Sequence, residues 1–369
     1  MPHDITIRSL TLYPVAIPFT TRFRHASADR AETSSVWVEA TSTAGLTGHG
    51  EACPRAYVTG ETLASAGAFF ERHVESVRRG VTGLETLRQF AATHVADIDA
   101  NPAAFCAVEL AVLDLVATTE RQPIEAALSL APLAGEFCYS AVLGDADVEA
   151  FTHQAERYLA MGFHDFKVKL SGDLDRDRAK LEVLWAAPGA RVRVDANNLW
   201  RSADDAIPFL SRLGGTLVAV EEPLAPGAVD ALALVAQAVG VPVILDESVT
   251  RVSQLATLPG DPAQWIVNVR VSKLGGLLRS LALVEAARAA GLRVVVGAQV
   301  GETSLLTRAA LTVAQAAGAA LLAQEGAFGT FLLTRDVCDP PLMFGPGGRL
   351  RVADHPRLRD PGFGIQGRA

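Results

Sequence analysis

Two hydrophobic patterns divide the chain near residue 130. Segments 5–17 and 34–45 alternate apolar and polar residues, which is typical of half-buried antiparallel strands. Segments 60–80 and 105–123 instead carry apolar residues at helical spacing. Strands followed by helices predict an α+β domain over residues 1–130.

After Cys138, short apolar runs alternate with longer amphipathic stretches. The runs are YSAVLG, DFKVKL, ARVRVDA, LVAVEEP, PVILDES, WIVNVRV, RVVVGAQ and LLAQEGA. Eight strands with intervening helices predict an α/β fold, and polar residues ending nearly every run favour a TIM barrel over a doubly wound sheet. We place this barrel at 131–334 and expect the tail, 335–369, to return to the first domain.

Composition narrows the function classes. The 369 residues are 49% hydrophobic and 20% charged, which suits a large buried core. The net charge is −8, with acids and bases mixed along the chain, and this balance argues against a nucleic-acid partner, which would need a basic patch. Four scattered cysteines without a C-x-x-C pair indicate thiols in a reducing compartment. No leader pattern or uninterrupted apolar run of membrane length is visible, so we expect a cytoplasmic protein without a membrane partner.

Polar residues at the ends of the runs predict an active site, because barrel enzymes place theirs at the carboxyl ends of the strands. These candidates are Lys167, Lys169, Asp195, Asn197, Glu221, Glu222, Asp246, Glu247, Arg270, Lys273, Gln299, Glu302 and Glu325.

Three of the acids are regularly spaced, with 221 − 195 = 26 and 246 − 221 = 25 residues between them. Each interval is about one βα unit, so Asp195, Glu221 and Asp246 should lie side by side on successive strands. Unpaired carboxylates facing one cavity repel each other, and a divalent cation with a preference for oxygen, such as Mg²⁺, removes that repulsion. The alternative is that each acid pairs with a nearby Lys or Arg.

Lys167 and Lys169 are two residues apart on a strand, so their side chains share one face. Crowded like charges and a nearby metal should lower the pKa of one lysine toward neutrality, which would make it a general base. A solvated pair on an edge strand is the alternative.

The motifs KVK at 167–169, VDAN at 194–197, VEEP at 220–223 and LDES at 245–248 resemble, in order and spacing, those of the enolase superfamily, in particular its muconate lactonizing enzyme subgroup. The resemblance implies a (β/α)₇β-type barrel under an N-terminal α+β capping domain that the C-terminal tail completes. It implies Mg²⁺, with Mn²⁺ as the alternative, on Asp195, Glu221 and Asp246. It also implies a homo-oligomer, commonly a dimer or octamer.

The same resemblance implies proton removal alpha to the carboxylate of a small substrate, through a metal-stabilised enediolate. Lys169 would be the base on one face, and Lys167 would tune it and contact the carboxylate. Family members that racemise or epimerise commonly carry Asn-x-Lys on the sixth strand, whereas VNVRVSK places Arg270 there. Because arginine stays protonated, we expect one-base chemistry, first of all a muconate-type cycloisomerase. Alternatives are an acid-sugar, hydroxy acid or amino acid dehydratase, and a dipeptide or amino acid epimerase if Arg270 does not block two-base chemistry.

Further residues are expected to contact substrate. The seventh strand lacks the histidine of mandelate racemases and ends instead in Gln299 and Glu302. Two segments of the first domain resemble the specificity loops of the family, with the candidates Phe23, His25, Arg55 and Tyr57. Asn197, Glu222, Lys273 and Glu325 complete the predicted substrate-binding set.

Two other classes of protein remain as alternatives. Barrel lysines also form Schiff bases in aldolases, although three adjacent acids would serve no purpose there. An inactive barrel homologue, with Arg270 as the lost catalytic position, is the non-enzyme alternative.

Overall fold

The computed structural model describes residues 4–25, 28–338 and 340–365, with the backbone alone for 22–25 and 28–29. The strands are β1 (Ile7–Val15), β2 (Pro18–His25), β3 (Ala28–Glu32), β4 (Ser35–Ser42), β5 (Thr47–Ala52), β6 (Glu136–Cys138), β7 (Ala141–Leu143), β8 (Asp165–Lys169), β9 (Arg191–Asp195), β10 (Ala219–Glu221), β11 (Val243–Leu245), β12 (Trp265–Val269), β13 (Arg293–Val296), β14 (Leu321–Gln324) and β15 (Arg349–Arg351). The α-helices are α1 (Ala56–Thr59), α2 (Leu63–Gly80), α3 (Leu84–Thr93), α4 (Val95–Ala100), α5 (Pro102–Thr119), α6 (Ile124–Ala127), α7 (Val148–Ala160), α8 (Leu174–Trp185), α9 (Ala203–Arg212), α10 (Val229–Val239), α11 (Val271–Leu274), α12 (Leu277–Ala289) and α13 (Ser304–Ala317).

The first domain is an antiparallel sheet in the order β1-β4-β5 with helices packed against it. Its central helix, α5, is buried from Pro102 to Ala117. A side chain at Gly48 or Gly50 of β5 would collide with the α5 backbone, so the close approach of strand and helix requires glycine at both positions. The predicted α+β domain is therefore present.

Strands β7 to β14 form one eight-stranded parallel sheet in sequential order. The sheet curls until its two edges meet, because Tyr139 just before β7 bridges Gln324 of β14, and Ser140 N donates to Gln324 O at 2.7 Å. Helices connect the strands except between β11 and β12, where two 3₁₀ helices at Val252–Thr257 and Pro262–Gln264 replace the α-helix. The predicted (β/α)₇β-type barrel with an N-terminal cap is confirmed.

The parallel register places the predicted site residues at one rim of the barrel. Lys169 is paired with Asp195, and Asp195 with Glu221, at the carboxyl ends of β8, β9 and β10. Asp246 directly follows β11 and Arg270 directly follows β12. Five neighbouring strands therefore deliver charged side chains to the same end of the sheet.

The C-terminal tail reaches back across the molecule. Strand β15 pairs with β6, and Phe363 N donates to Asp114 Oδ1 of α5 at 2.8 Å. One hydrophobic core runs through both domains. Helix α5 is the one helix of the described segments whose length and hydropathy would suit a membrane span, and 89% of that span is buried inside the protein. The predicted domain boundaries stay predictions.

Candidate active site

A cavity of about 1090 Å³ opens at the carboxyl ends of the barrel strands, beneath the first domain. Thr20, Thr21 and Tyr57 form the part of its wall that the first domain supplies. The predicted residues that line the barrel part are Lys167, Lys169, Asn197, Glu247, Arg270, Gln299, Glu302 and Glu325. The structure therefore brings most of the predicted set to one space, and their contact with a substrate stays a prediction.

Lys167 lies among acidic groups at the floor of this cavity. Its Nζ is 2.8 Å from the Glu221 carboxylate, 3.1 Å from Asp195 Oδ2 and 3.3 Å from Glu325 Oε2. Burial alone would lower the pKa of Lys167, but these three carboxylates outweigh it and raise the pKa above its usual value. Lys167 is therefore not the lysine whose pKa is lowered, and the role of Lys169 as the base stays a prediction.

Lys169 stands on the same face of β8 and closer to the open cavity. Its Nζ donates to Asp195 Oδ2 at 2.9 Å and to Asn197 Oδ1 at 2.8 Å. Asn197 adopts φ +46°, a left-handed conformation that asparagine tolerates well, and its own N–H donates to Asp195 Oδ1. The turn after β9 thus holds the Lys169 amine at the cavity wall.

Arg270 forms the opposite side of the charged cluster. Its Nη2 is paired with Asp246 Oδ2 and lies 3.6 Å from Glu221 Oε1, and its Nη1 donates to Gln299 Oε1 at 3.3 Å. Burial opposes the charged form, but Asp246 and Glu247 outweigh it and raise the pKa of Arg270. A side chain at Gly297 would collide with Asn268 and crowd Arg270, so glycine makes room for the guanidinium. Arg270 is a permanent cation.

Asp195, Glu221 and Asp246 fit a divalent cation by their chemistry. They are buried carboxylates at the ends of adjacent strands, and carboxylate oxygens are the ligands that Mg²⁺ prefers. In the present arrangement the cationic side chains lie between them. Accordingly, no three His, Cys, Asp or Glu side chains in the described part of the chain are grouped closely enough here to hold a metal ion. The three acids are therefore paired with Lys and Arg side chains, which is the alternative that the sequence left open.

Three of the predicted substrate-binding residues have their polar groups engaged within the protein, and their contact with a substrate stays a prediction. Glu222 is buried and accepts hydrogen bonds from Asp246 N at 2.7 Å and Ser248 N at 2.8 Å, so it shapes the turn after β11. Lys273 of α11 donates to Asp246 Oδ1 at 2.9 Å and to three backbone carbonyls behind the cavity.

Arg55 is the third. Its Nη2 donates to Val300 O at 2.6 Å, and its Nη1 to Ser34 O and Pro54 O, so it ties the first domain to the loop after β13. The Phe23 and His25 side chains lie outside the described residues, so their predicted role stays a prediction.

Some residues of the site were not predicted from the sequence. Arg193 of β9 donates to Glu325 Oε1 at 2.9 Å, and Asn268 of β12 donates to Glu221 Oε1 at 3.1 Å. Each stands two residues before a predicted site residue, so the alternation along a strand could have identified both. The start of α7 also faces the cavity, with Asp147, Glu149, Ala150, His153, Gln154 and Arg157. These residues follow β7, the first barrel strand, which has no polar residue at its end that would have predicted a site there.

Comparisons with known proteins agree with this architecture. Residues 150–368 match the family model described as enolase C-terminal domain-like. The L-Lys-D/L-Arg epimerase of Methylococcus capsulatus is 31% identical over 96% of this chain and 97% of its own. A crystal structure of the dipeptide epimerase of that organism, complexed with Mg and the dipeptide L-Arg-D-Lys, has a TM-score of 0.82 at 29% identity over 98% and 99% of the two chains. The substrate-liganded L-Ala-D/L-Glu epimerase of Bacillus subtilis has a TM-score of 0.85 at 25% identity over 99% and 100%.

The fold and site therefore define an enolase-superfamily barrel, and the chain belongs to the enolase C-terminal domain-like family. The resemblance drawn from its motifs is confirmed. The expectation of a muconate-type cycloisomerase is not supported, because the relatives named here are dipeptide epimerases. The alternative expectation, an epimerase, agrees better with them.

Proposed function

We propose that this protein is a Mg²⁺-dependent isomerase that removes the proton alpha to the carboxylate of a dipeptide or acylated amino acid and epimerises that carbon. The observation that carries the proposal is the Lys169 amine, held at the cavity wall by Asp195 and Asn197 beside three carboxylates on adjacent strands. The relatives, which act on dipeptides, support the substrate class.

Lys169 acts as the base on one face of the substrate. Its hydrogen bonds to Asp195 and Asn197 fix the direction of the Nζ lone pair once a proton has left. Lys167 stays charged, because three carboxylates surround it. It therefore supplies fixed positive charge beside the substrate carboxylate, where negative charge develops as the alpha proton leaves.

Asp195, Glu221 and Asp246 would hold the metal. Bound there, Mg²⁺ supplies Lewis-acid stabilisation of negative charge on the substrate carboxylate. Glu222 and Lys273 act as supports, because they fix the backbone and the carboxylate of Asp246 from behind.

A second candidate is a lyase that eliminates a group beta to the same carboxylate. The fixed charge of Arg270 favours it, because a guanidinium holds a leaving anion but does not take a proton. The two candidates differ in their product, an epimer in one case and an unsaturated acid in the other.

The test is incubation with Mg²⁺ in D₂O and a panel of L,L-dipeptides and N-succinyl amino acids, followed by ¹H NMR and chiral chromatography. We expect loss of the alpha-proton signal together with formation of the epimer. An unsaturated product would favour the lyase. Borohydride-trapped substrate on a lysine, with full activity in EDTA, would instead point to Schiff-base chemistry and contradict the proposal.

A further inference from the structure

We propose that Glu302 is the acid–base group on the face of the substrate opposite Lys169, the role that Arg270 does not perform. This inference rests on the proposed epimerisation. It identifies a second catalytic residue and explains how a chain with arginine at the end of the sixth barrel strand acts on both faces of a carbon.

The positions of the strands define where the second group must lie. Lys169 ends β8 and Arg270 follows β12, four strands away in an eight-stranded closed sheet, so the two residues stand on opposite walls. A guanidinium stays protonated near neutral pH, so Arg270 does not exchange protons with a substrate. A group that exchanges protons on that wall must therefore come from a strand next to β12.

Glu302 lies in the loop after β13, the neighbour of β12, and lines the same cavity as Lys169. Gln299, whose side chain contacts Arg270, donates its backbone N–H to Glu302 Oε1 at 2.6 Å. Within the described segments no other group donates to the Glu302 carboxyl. Burial raises the pKa of Glu302 to about 8, although Arg270 and Arg55 oppose the rise, so both protonation states are accessible near neutral pH.

The loop that carries Glu302 is held rigidly by the first domain. Arg55 Nη2 donates to Val300 O at 2.6 Å, and Thr303 donates to Glu51 through its backbone N–H at 2.9 Å and its hydroxyl at 2.6 Å. Hydrogen bonds to the first domain therefore hold the chain on both sides of Glu302. Catalytic groups require this kind of preorganisation, and an ordinary surface loop does not supply it.

The proposed epimerisation needs no co-reactant, because every proton that is removed is replaced within the cycle. Neutral Lys169 takes the alpha proton from one face, and the electron pair of the broken C–H bond delocalises into the substrate carboxylate. The protonated Glu302 carboxyl then donates its proton to the other face, and the pair returns to form the new C–H bond. Lys169 ends as an ammonium and Glu302 as a carboxylate. Water in the cavity restores both, and the reverse direction exchanges their roles.

The experiment measures alpha-proton exchange separately from each epimer. The probes are L-Lys-L-Arg, L-Lys-D-Arg and both enantiomers of N-succinyl-arginine, in D₂O with Mg²⁺. The variants are Lys169→Met and Glu302→Gln. Glu247→Gln removes another carboxyl that lines the cavity, on the other neighbour of β12, and tests whether the loss is specific to Glu302. Glu109→Gln removes a buried carboxyl that does not line the cavity and serves as the matched control.

We expect wild type and Glu109→Gln to interconvert the epimers. Glu302→Gln should lose interconversion by about 10²–10⁴-fold and keep exchange from one epimer, whereas Lys169→Met should keep exchange from the other. Interconversion by Glu302→Gln within tenfold of wild type, or the same loss in Glu247→Gln alone, would overturn the assignment. Wild-type exchange from a single epimer would overturn it and leave proton abstraction by Lys169 intact. No exchange from any probe would refute the proposed substrate class, and the assignment with it.

Discussion

Buried carboxylates occur in two regions of this molecule, and their partners differ. At the barrel rim, Asp195 and Asp246 face lysine and arginine side chains around an open cavity. At the boundary between the domains, Glu51 and Glu109 accept hydrogen bonds from backbone N–H groups at the starts of α13 and α12. Carboxylates beside movable cations can exchange partners with a ligand, whereas those that cap helices are committed to the fold.

The ionisation of the two groups differs accordingly. Burial would raise the pKa of Asp195 and Asp246, but the adjacent cations overcome it and lower the pKa of both. Burial raises the pKa of Glu51 to about 7 and that of Glu109 to about 8, because backbone amides compensate it only in part. The comparison teaches that burial alone does not identify a functional carboxylate. The partners and an adjoining cavity do.

The largest effect should come from Asp195→Asn, Glu221→Gln or Asp246→Asn. Each removes a charged ligand, so calorimetric titration should show no Mg²⁺ binding. Turnover should fall by about 10³-fold or more, since metal stabilisation is worth several kcal/mol. Circular dichroism should show a retained fold. Full activity of the wild-type enzyme after exhaustive chelation would contradict the metal assignment.

Lys169→Met should lower turnover by about 10²–10⁴-fold, the usual contribution of a general base. Mg²⁺ titration of the same variant should still show binding, because the three carboxylates are intact, and this separates the base from the metal site. Turnover within tenfold of wild type would mean that Lys169 does not take the proton.

Arg270→Met should mainly raise KM if the guanidinium binds a substrate anion, since a charged hydrogen bond contributes about 1.5–3 kcal/mol. Arg270→Lys is its matched partner, because it keeps the positive charge and adds a group that exchanges protons. In the Glu302→Gln background, Arg270→Lys should restore part of the interconversion. Equal kinetics of the two Arg270 variants would show that its charge has no role in binding or turnover.

Glu109→Gln should have the smallest effect on activity and a distinct effect on stability. Because the folded-state pKa of Glu109 is raised, its favourable contribution is complete below the unfolded pKa, near 4.3, and is lost as the pH rises toward 8. Glutamine does not ionise, so the Tm difference, variant minus wild type, should rise between pH 5 and 8. A difference that falls over this range would show that the helix amides keep Glu109 ionised.

Much of the site could be predicted from the sequence because strands impose a regular geometry. Spacing of one βα unit placed Asp195, Glu221 and Asp246 on adjacent strands, and the eight apolar runs correspond to β7–β14. The sequence was less informative about side-chain direction where a strand had ended. Glu222 follows the last residue of β10, and Lys273 lies in a short helix after β12. There the alternation of faces stops, and backbone partners decide the direction of the side chain.

The charges that surround Lys167 could not be predicted from the sequence, for another reason. A sequence shows which charges are neighbours along the chain, and Lys169 was the nearest one. The decisive charges come from Asp195, Glu221 and Glu325, which are all distant from Lys167 along the chain. Such a sum of opposing interactions depends on distances that only the folded chain defines.

Helix α5 has a consequence for how this protein is made. Its apolar surface is covered on one side by β5 and on another by α11, and Glu109 of α5 binds the start of α12. Between the end of α5 and the start of α12 the ribosome adds 277 − 119 = 158 residues, which takes roughly 10–30 s at typical elongation rates. For that time the face of α5 that α11 and α12 cover stays exposed on the nascent chain, whereas β5, which is made earlier, already covers the other face.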